Sequence, residues 1–194
     1  MARILLMLLL AALAHAQASL IGRWRAMKTS QGGIGAIFEF RDDGAFSFSP
    51  GAVVEAKYRI DGNQLVLPPD TIDGPELHQT MEWVSADRLV LRESQTLTRQ
   101  GTVRDPSNPI LGEWTAPGEA FGFKAEVHYF FQPRGKVLFL CPFKWQKGGY
   151  SVKGGTVRMQ YSEGPPVEGP FRVEGDMLTI PSAGKPGELQ LKRY

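Results

Sequence analysis

His78 and His128, Cys141, and the carboxylates Asp70, Asp73 and Glu76 are the side chains of this chain whose types and placing come nearest to chemistry. Two histidines can hold a metal only when further ligands stand at zinc-like spacing, and these two fall in different halves at non-equivalent positions. Cys141 lies between Leu140 and Pro142 with no histidine near it in sequence, so it lacks the base that turns a thiol into a nucleophile. A small, partly buried thiol is expected. Asp70, Asp73 and Glu76 share one loop and could meet a cation, but calcium loops place their oxygen ligands more densely, and a solvated acidic rim is the expectation. No Gly-x-Ser-x-Gly elbow, glycine-rich phosphate loop or general-acid pair occurs. The sequence thus predicts no catalytic residue, no metal and no cofactor, and leaves open only an enzyme whose groups converge in the fold.

The elements that would position these residues begin after a leader. Arg3, the apolar run Ile4 to Leu13 and the small-x-small triplet Ala14-His15-Ala16 read as a secretory signal peptide over residues 1–16, too short to span a bilayer. The expected product is exported, periplasmic or extracellular, and soluble, with no membrane span. Removing Arg3 from 22 basic residues leaves a net charge of +1 against 20 acids, spread without basic runs, which gives no electrostatic case for nucleic acid. A single cysteine makes no internal disulfide, so stability must come from packing.

Alternation of apolar and polar residues marks the strands. Phe38 and Phe40 flank Glu39, Phe46 and Phe48 flank Ser47, Tyr58 and Ile60 flank Arg59, Met81 and Trp83 flank Glu82, and Leu89 and Leu91 flank Val90. Tight turns are expected at Asp42-Asp43-Gly44, Asp61-Gly62-Asn63 and Ala86-Asp87, and longer connections at residues 30–33, 49–52 and 68–76. In an up-and-down meander alternate connections share an end, so any mouth belongs at the looped end. No stretch has the period of a long helix.

The order then repeats. Leu20-Ile-Gly-Arg-Trp24 returns as Ile110-Leu-Gly-Glu-Trp114, Tyr58-Arg-Ile-Asp-Gly as Tyr150-Ser-Val-Lys-Gly, and Leu97-Thr-Arg99 as Leu191-Lys-Arg193. The predicted organisation is one repeat over residues 17–101, a proline-bearing linker over 102–109, and a second repeat over 110–194.

A Gly-x-Trp on the first strand, a meander of about eight antiparallel strands and an arginine on the last strand resemble the lipocalin-like, or calycin-type, β-barrels, and in particular small exported bacterial repeats. The resemblance implies an all-β fold of two tandem antiparallel up-and-down barrels of about eight short strands each. It also implies that Trp24 packs with Arg99, and Trp114 with Arg193, through cation-π contacts closing one end of each barrel. Strands this short predict a solid interior filled by side chains such as Phe38, Phe40, Phe46, Phe48, Tyr58 and Trp83. The other arrangement is that both copies combine into one sandwich or larger barrel.

The two copies differ on one face. If Tyr129 and Phe131 point inward, then His128, Phe130, Leu138 and Leu140 point outward, joined by Trp145, whereas the first copy carries Glu39, Ser47 and Ser49 where the second carries Phe130, Leu138 and Leu140. An apolar outer face marks an interface, so Phe130, Leu138, Leu140 and Trp145 form the expected interaction surface, used within the chain, in an oligomer or for a partner. The function expected is a non-enzymatic exported binding module for a small apolar ligand or a protein partner. The other reading is a structural or assembly module without a small-molecule site, and an uncharacterised hydrolytic enzyme comes third.

Overall fold

A computed structural model describes residues 20–69, 74–92, 95–102, 105–120, 122–183 and 187–194. Residues 1–16, expected from the sequence to be a signal peptide, and Asp70 and Asp73 lie outside them. Among the described residues every element is a β-strand. From the amino end these are β1 (Gly22–Ala26), β2 (Ile34–Phe40), β3 (Ala45–Lys57), β4 (Arg59–Asp61), β5 (Gln64–Leu67), β6 (Leu77–Ser85), β7 (Arg88–Leu91) and β8 (Gln95–Gln100). The series continues with β9 (Gly112–Ala120), β10 (Phe123–Gln132), β11 (Lys136–Pro142), β12 (Gln146–Lys153) and β13 (Thr156–Tyr161). It ends with β14 (Val167–Pro170), β15 (Arg172–Glu174), β16 (Met177–Pro181) and β17 (Glu188–Arg193). The fold is all-β and antiparallel, as the alternation predicts, and the tight turns fall at residues 42–43, 62–63 and 86–87.

The division into compact units departs from the tandem arrangement. One unit joins the residues up to Gly51 with Lys144–Tyr194, and the other is the continuous segment Ala52–Phe143. Each therefore takes strands from both repeats. The cause is the connection expected at residues 49–52, which is no loop. None of these residues has a positive φ, so no tight hairpin turn forms, and β3 continues for thirteen residues. Its first half pairs with β12, Phe46 opposite Gly148 and Phe48 opposite Gln146, and β3 also pairs with β11. The Ser49 hydroxyl donates to the Pro50 carbonyl at 2.7 Å and accepts the Lys144 N–H at 3.1 Å, which fixes this stretch in its extended course.

In the first unit β1 pairs with β2 on one side and with β17 on the other, Trp24 lying opposite both Phe38 and Arg193. Its core gathers Leu20, Trp24, Phe38, Phe40, Phe46, Tyr150, Val157, Met159, Leu178, Ile180 and Leu191. In the second unit the ladder runs in chain order from β4 to β11 apart from one feature, a register shift in β6 between Trp83 and Ser85. That core gathers Tyr58, Leu65, Met81, Leu89, Leu91, Leu97, Ile110, Trp114, Tyr129, Phe131 and Val137. Trp83, expected inside, is 39 % exposed at the register shift and sets its ring edge-on to Trp114 at 5.8 Å.

Exchange of strands between repeats also crosses the closing pairs. Arg193, and not Arg99, lies over Trp24 at 4.1 Å, while Arg99 lies over Trp114 at 4.1 Å. The last strand of each repeat is the neighbour of the first strand of the other, so the partners implied by the family resemblance are the right residue types with the wrong mates. Both sites are built alike. The indole of Trp24 donates to the Leu20 carbonyl at 2.8 Å and that of Trp114 to the Ile110 carbonyl at 2.7 Å. Arg193 donates to the Ile21 carbonyl at 2.6 Å, and Arg99 to those of Leu111 at 2.9 Å and Ala86 at 3.0 Å.

This geometry accounts for the glycine of the Gly-x-Trp motif. Gly22 has φ +132° and a Cβ there would sit 2.5 Å from Arg193 Nη1; Gly112, at φ +119°, faces Arg99 Nη1 in the same way at 3.3 Å. Gly22→Ala is therefore expected to destabilise the protein by about 1–3 kcal/mol through backbone strain and displacement of the guanidinium. Urea unfolding of the variant measures this, and a midpoint equal to the parent's would refute the account.

Candidate ligand-binding site

The interior of the second unit is not solid, contrary to the expectation from strand length. It holds an open cavity of about 500 Å³, within the range of ~300–1,000 Å³ common to small-molecule sites. The wall is apolar: Ala56 on β3, Leu65 and Leu67 on β5, Leu91 on β7, Phe131 on β10 and Phe139 on β11, with Pro68, Pro69 and Leu77 where the longer 68–76 connection leaves and rejoins the sheet. Strand alternation explains this lining, because residues two apart on one strand share a face.

Three polar side chains interrupt the wall: Gln79 on β6, Gln95 on β8 and Tyr129 on β10. The Gln95 amide donates to the Tyr129 hydroxyl. Burial pushes the Tyr129 phenol above its ordinary range, so the group keeps its proton throughout neutral pH. Gln79 Oε1 is buried without a hydrogen-bond partner among the described residues. A buried acceptor left unmet costs about 1–3 kcal/mol, an expense that globular proteins seldom carry without a reason.

The first unit provides an internal comparison, because each position has a counterpart fixed by strand register. Leu65 stands opposite Gln79 as Val157 stands opposite Gly169, and Leu91 opposite Gln95 as Ile180 stands opposite Leu189. Tyr129 is opposite Trp114 as Phe38 is opposite Trp24. The polar trio is thus replaced by Gly169, Leu189 and Phe38. Pro69 is matched by Tyr161, whose ring meets Phe46 at 5.0 Å and Phe48 at 6.1 Å, while Phe38 and Phe48 pack at 4.8 Å. Aromatic rings fill in the first unit the space corresponding to the cavity wall of the second.

Those residues singled out by sequence that the structure describes lie elsewhere. Glu76 is engaged by Arg59 at 2.5 and 2.7 Å, and that guanidinium holds its carboxyl below the usual range. His78 Nδ1 lies 3.0 Å from Gln64 Oε1, and His128 Nδ1 lies 3.1 Å from Glu113 Oε1. Cys141 is buried, which raises its thiol pKa and opposes thiolate chemistry. Among the described residues no three His, Cys, Asp or Glu side chains gather as metal ligands. No helix among them is long and apolar enough to cross a membrane.

The expected interaction surface takes a different form. Phe130 lies opposite Leu138 and His128 opposite Leu140 on one face of the β10–β11 pair, away from the core that takes Tyr129, Phe131 and Val137. Phe130, Leu138 and Leu140 are only 8 %, 2 % and 2 % exposed, so they present no open apolar patch. Trp145, at 42 % exposure, sits in the bend after β11 and belongs to the other unit. β11 is apolar on both faces because both are buried. Sequence reasoning passes over Gln79 and Gln95; the signal for them is a copy-to-copy difference at inward positions, where Leu189 and Gly169 become glutamines. Compared with models of known protein families, with curated proteins and with solved structures, the chain matches none.

Proposed function

We propose that this protein is an exported, non-enzymatic binding module of two lipocalin-like up-and-down barrels, each drawn from both repeats, and that the barrel built from residues 52–143 holds a small apolar ligand. The observation that carries this reading is the contrast in interiors: a cavity of about 500 Å³ in one unit, aromatic filling at the matching positions of the other. A duplicated framework that carries packed aromatic rings at the matching positions of one copy does not need a cavity there to fold. Opening an interior forfeits the dispersion contacts that filling side chains would make, so the open cavity is maintained against a stability gradient. The first unit, with aromatic rings at the matching positions, suits the structural part of the second reading, a scaffold for the ligand-holding unit.

An uncharged solvatochromic dye such as Nile red tests the proposal on the mature full-length protein. Saturable binding at one site is expected, with emission shifted to the blue. Ala56→Phe, which places a ring in the cavity, should abolish that binding while leaving the unfolding temperature equal or higher. Dye binding unaffected by Ala56→Phe would place the dye outside the cavity and overturn the reading.

A further inference from the structure

Resting on the reading of this cavity as a ligand site, we propose that its ligand is a neutral amphiphile carrying a hydroxyl group, which donates to Gln79 Oε1 and accepts from the Tyr129 hydroxyl. The polar groups of the trio are not what the framework requires at these positions, since the first unit folds the same strands around Gly169, Leu189 and Phe38. Gln79 Oε1 is a buried acceptor with no donor among the described residues, and Gln79 is one of the residues that line the cavity. Tyr129 already accepts the Gln95 amide, which orients the phenol and leaves its own proton to be given away. One wall thus asks for a donor and another supplies one.

Few small groups answer both demands. A hydroxyl donates one hydrogen bond and accepts others, whereas an ether only accepts and a hydrocarbon does neither. A carboxylate accepts only and arrives charged. Among the described residues no Lys, Arg or His lines the cavity to receive it, and burying an unpaired carboxylate against them is strongly unfavourable. Among the described residues no Asp or Glu lines the cavity to receive an ammonium. The remaining wall is hydrocarbon, which suits an alkyl or alicyclic body and contributes affinity without direction.

Decan-1-ol, its methyl ether and decanoate, titrated by calorimetry into the mature full-length protein, separate these cases. The alcohol should bind about tenfold more tightly than the ether, and decanoate most weakly, the scale expected when a buried polar group is met or left unmet. Gln79→Leu should remove the alcohol's advantage and leave ether binding intact, which also reports that the variant is folded. Gln95→Leu with Tyr129→Phe, the residues of the first unit, should weaken the alcohol and the ether together. Equal binding of alcohol and ether to the parent, or an alcohol preference that survives Gln79→Leu, overturns the hydroxyl assignment while leaving the cavity a ligand site. Tightest binding by decanoate overturns it equally. Binding of none of the three overturns the cavity reading itself, and the hydroxyl assignment falls with it.

Discussion

Residues 52–143 expressed alone are expected to fold and unfold cooperatively, whereas residues 17–101, one whole sequence repeat, are expected to give no cooperative transition. Every residue of the second core, from Tyr58 to Val137, lies inside the first fragment. Its backbone ladder from β4 through β11 is complete there, and the Tyr58 N–H donates to the Gly135 carbonyl at 2.7 Å within the same fragment. The repeat fragment holds β1 without β17 and β8 without β9, so both Trp24 and Arg99 lose their observed partners. Independent cooperative folding is the mark of a domain with its own core. Thermal melts followed by circular dichroism distinguish the outcomes. A cooperative melt from residues 17–101 and none from 52–143 would restore the tandem division and refute the exchange of strands.

Trp24→Ala is expected to destabilise the protein by about 3–5 kcal/mol, the range for truncating a large, fully buried aromatic ring. Three things go at once: the packed indole, its hydrogen bond to the Leu20 carbonyl, and the surface on which the Arg193 guanidinium rests. The crossed pairing makes a sharper demand. In a double-mutant cycle Trp24→Ala should couple to Arg193→Ala by roughly 1–2 kcal/mol, the scale of a desolvated cation-π contact, and be additive with Arg99→Ala within about 0.5 kcal/mol. Coupling to Arg99 in place of Arg193 would mean that each repeat closes on itself. Unfolding monitored in urea supplies all the free energies needed.

Strand content and face assignment were legible because alternation is a local signal. Phe38 and Phe40 can be placed inward, and Glu39 outward, from three adjacent residues. The Gly-x-Trp and late arginine were legible as types for the same reason. Which arginine meets which tryptophan was not, since the two copies of the motif offer the same residue types as partners and the choice is made far away, where residues 49–52 continue as strand instead of turning. The cavity was hidden for another reason. Whether an interior fills depends on the sum of side-chain volumes across many strands, and a single exchange such as Tyr161 against Pro69 changes it while leaving the hydrophobic pattern untouched. Gln79 and Gln95 interrupt an apolar inner face, yet a lone glutamine at an inward position carries no chemistry of its own until its neighbours are known.

The long, unturned β3 has a consequence for the order in which the chain can acquire its structure. Trp24 and its partner Arg193 are at opposite ends of the sequence, and contacts of such separation are slow to form because the intervening chain must first be brought to closure. The segment 52–143 meets no such delay: it is continuous, and its first and last strands, β3 and β11, pair with each other. Once that pairing is made, the chain leaves it at two neighbouring points, one leading back to β1 and the other onward to β12. What was a closure across most of the protein becomes a closure across a short span. During synthesis, then, β1, β2 and the start of β3 emerge first and settle last, holding unpaired edges and an exposed Trp24 until the carboxyl-terminal strand arrives.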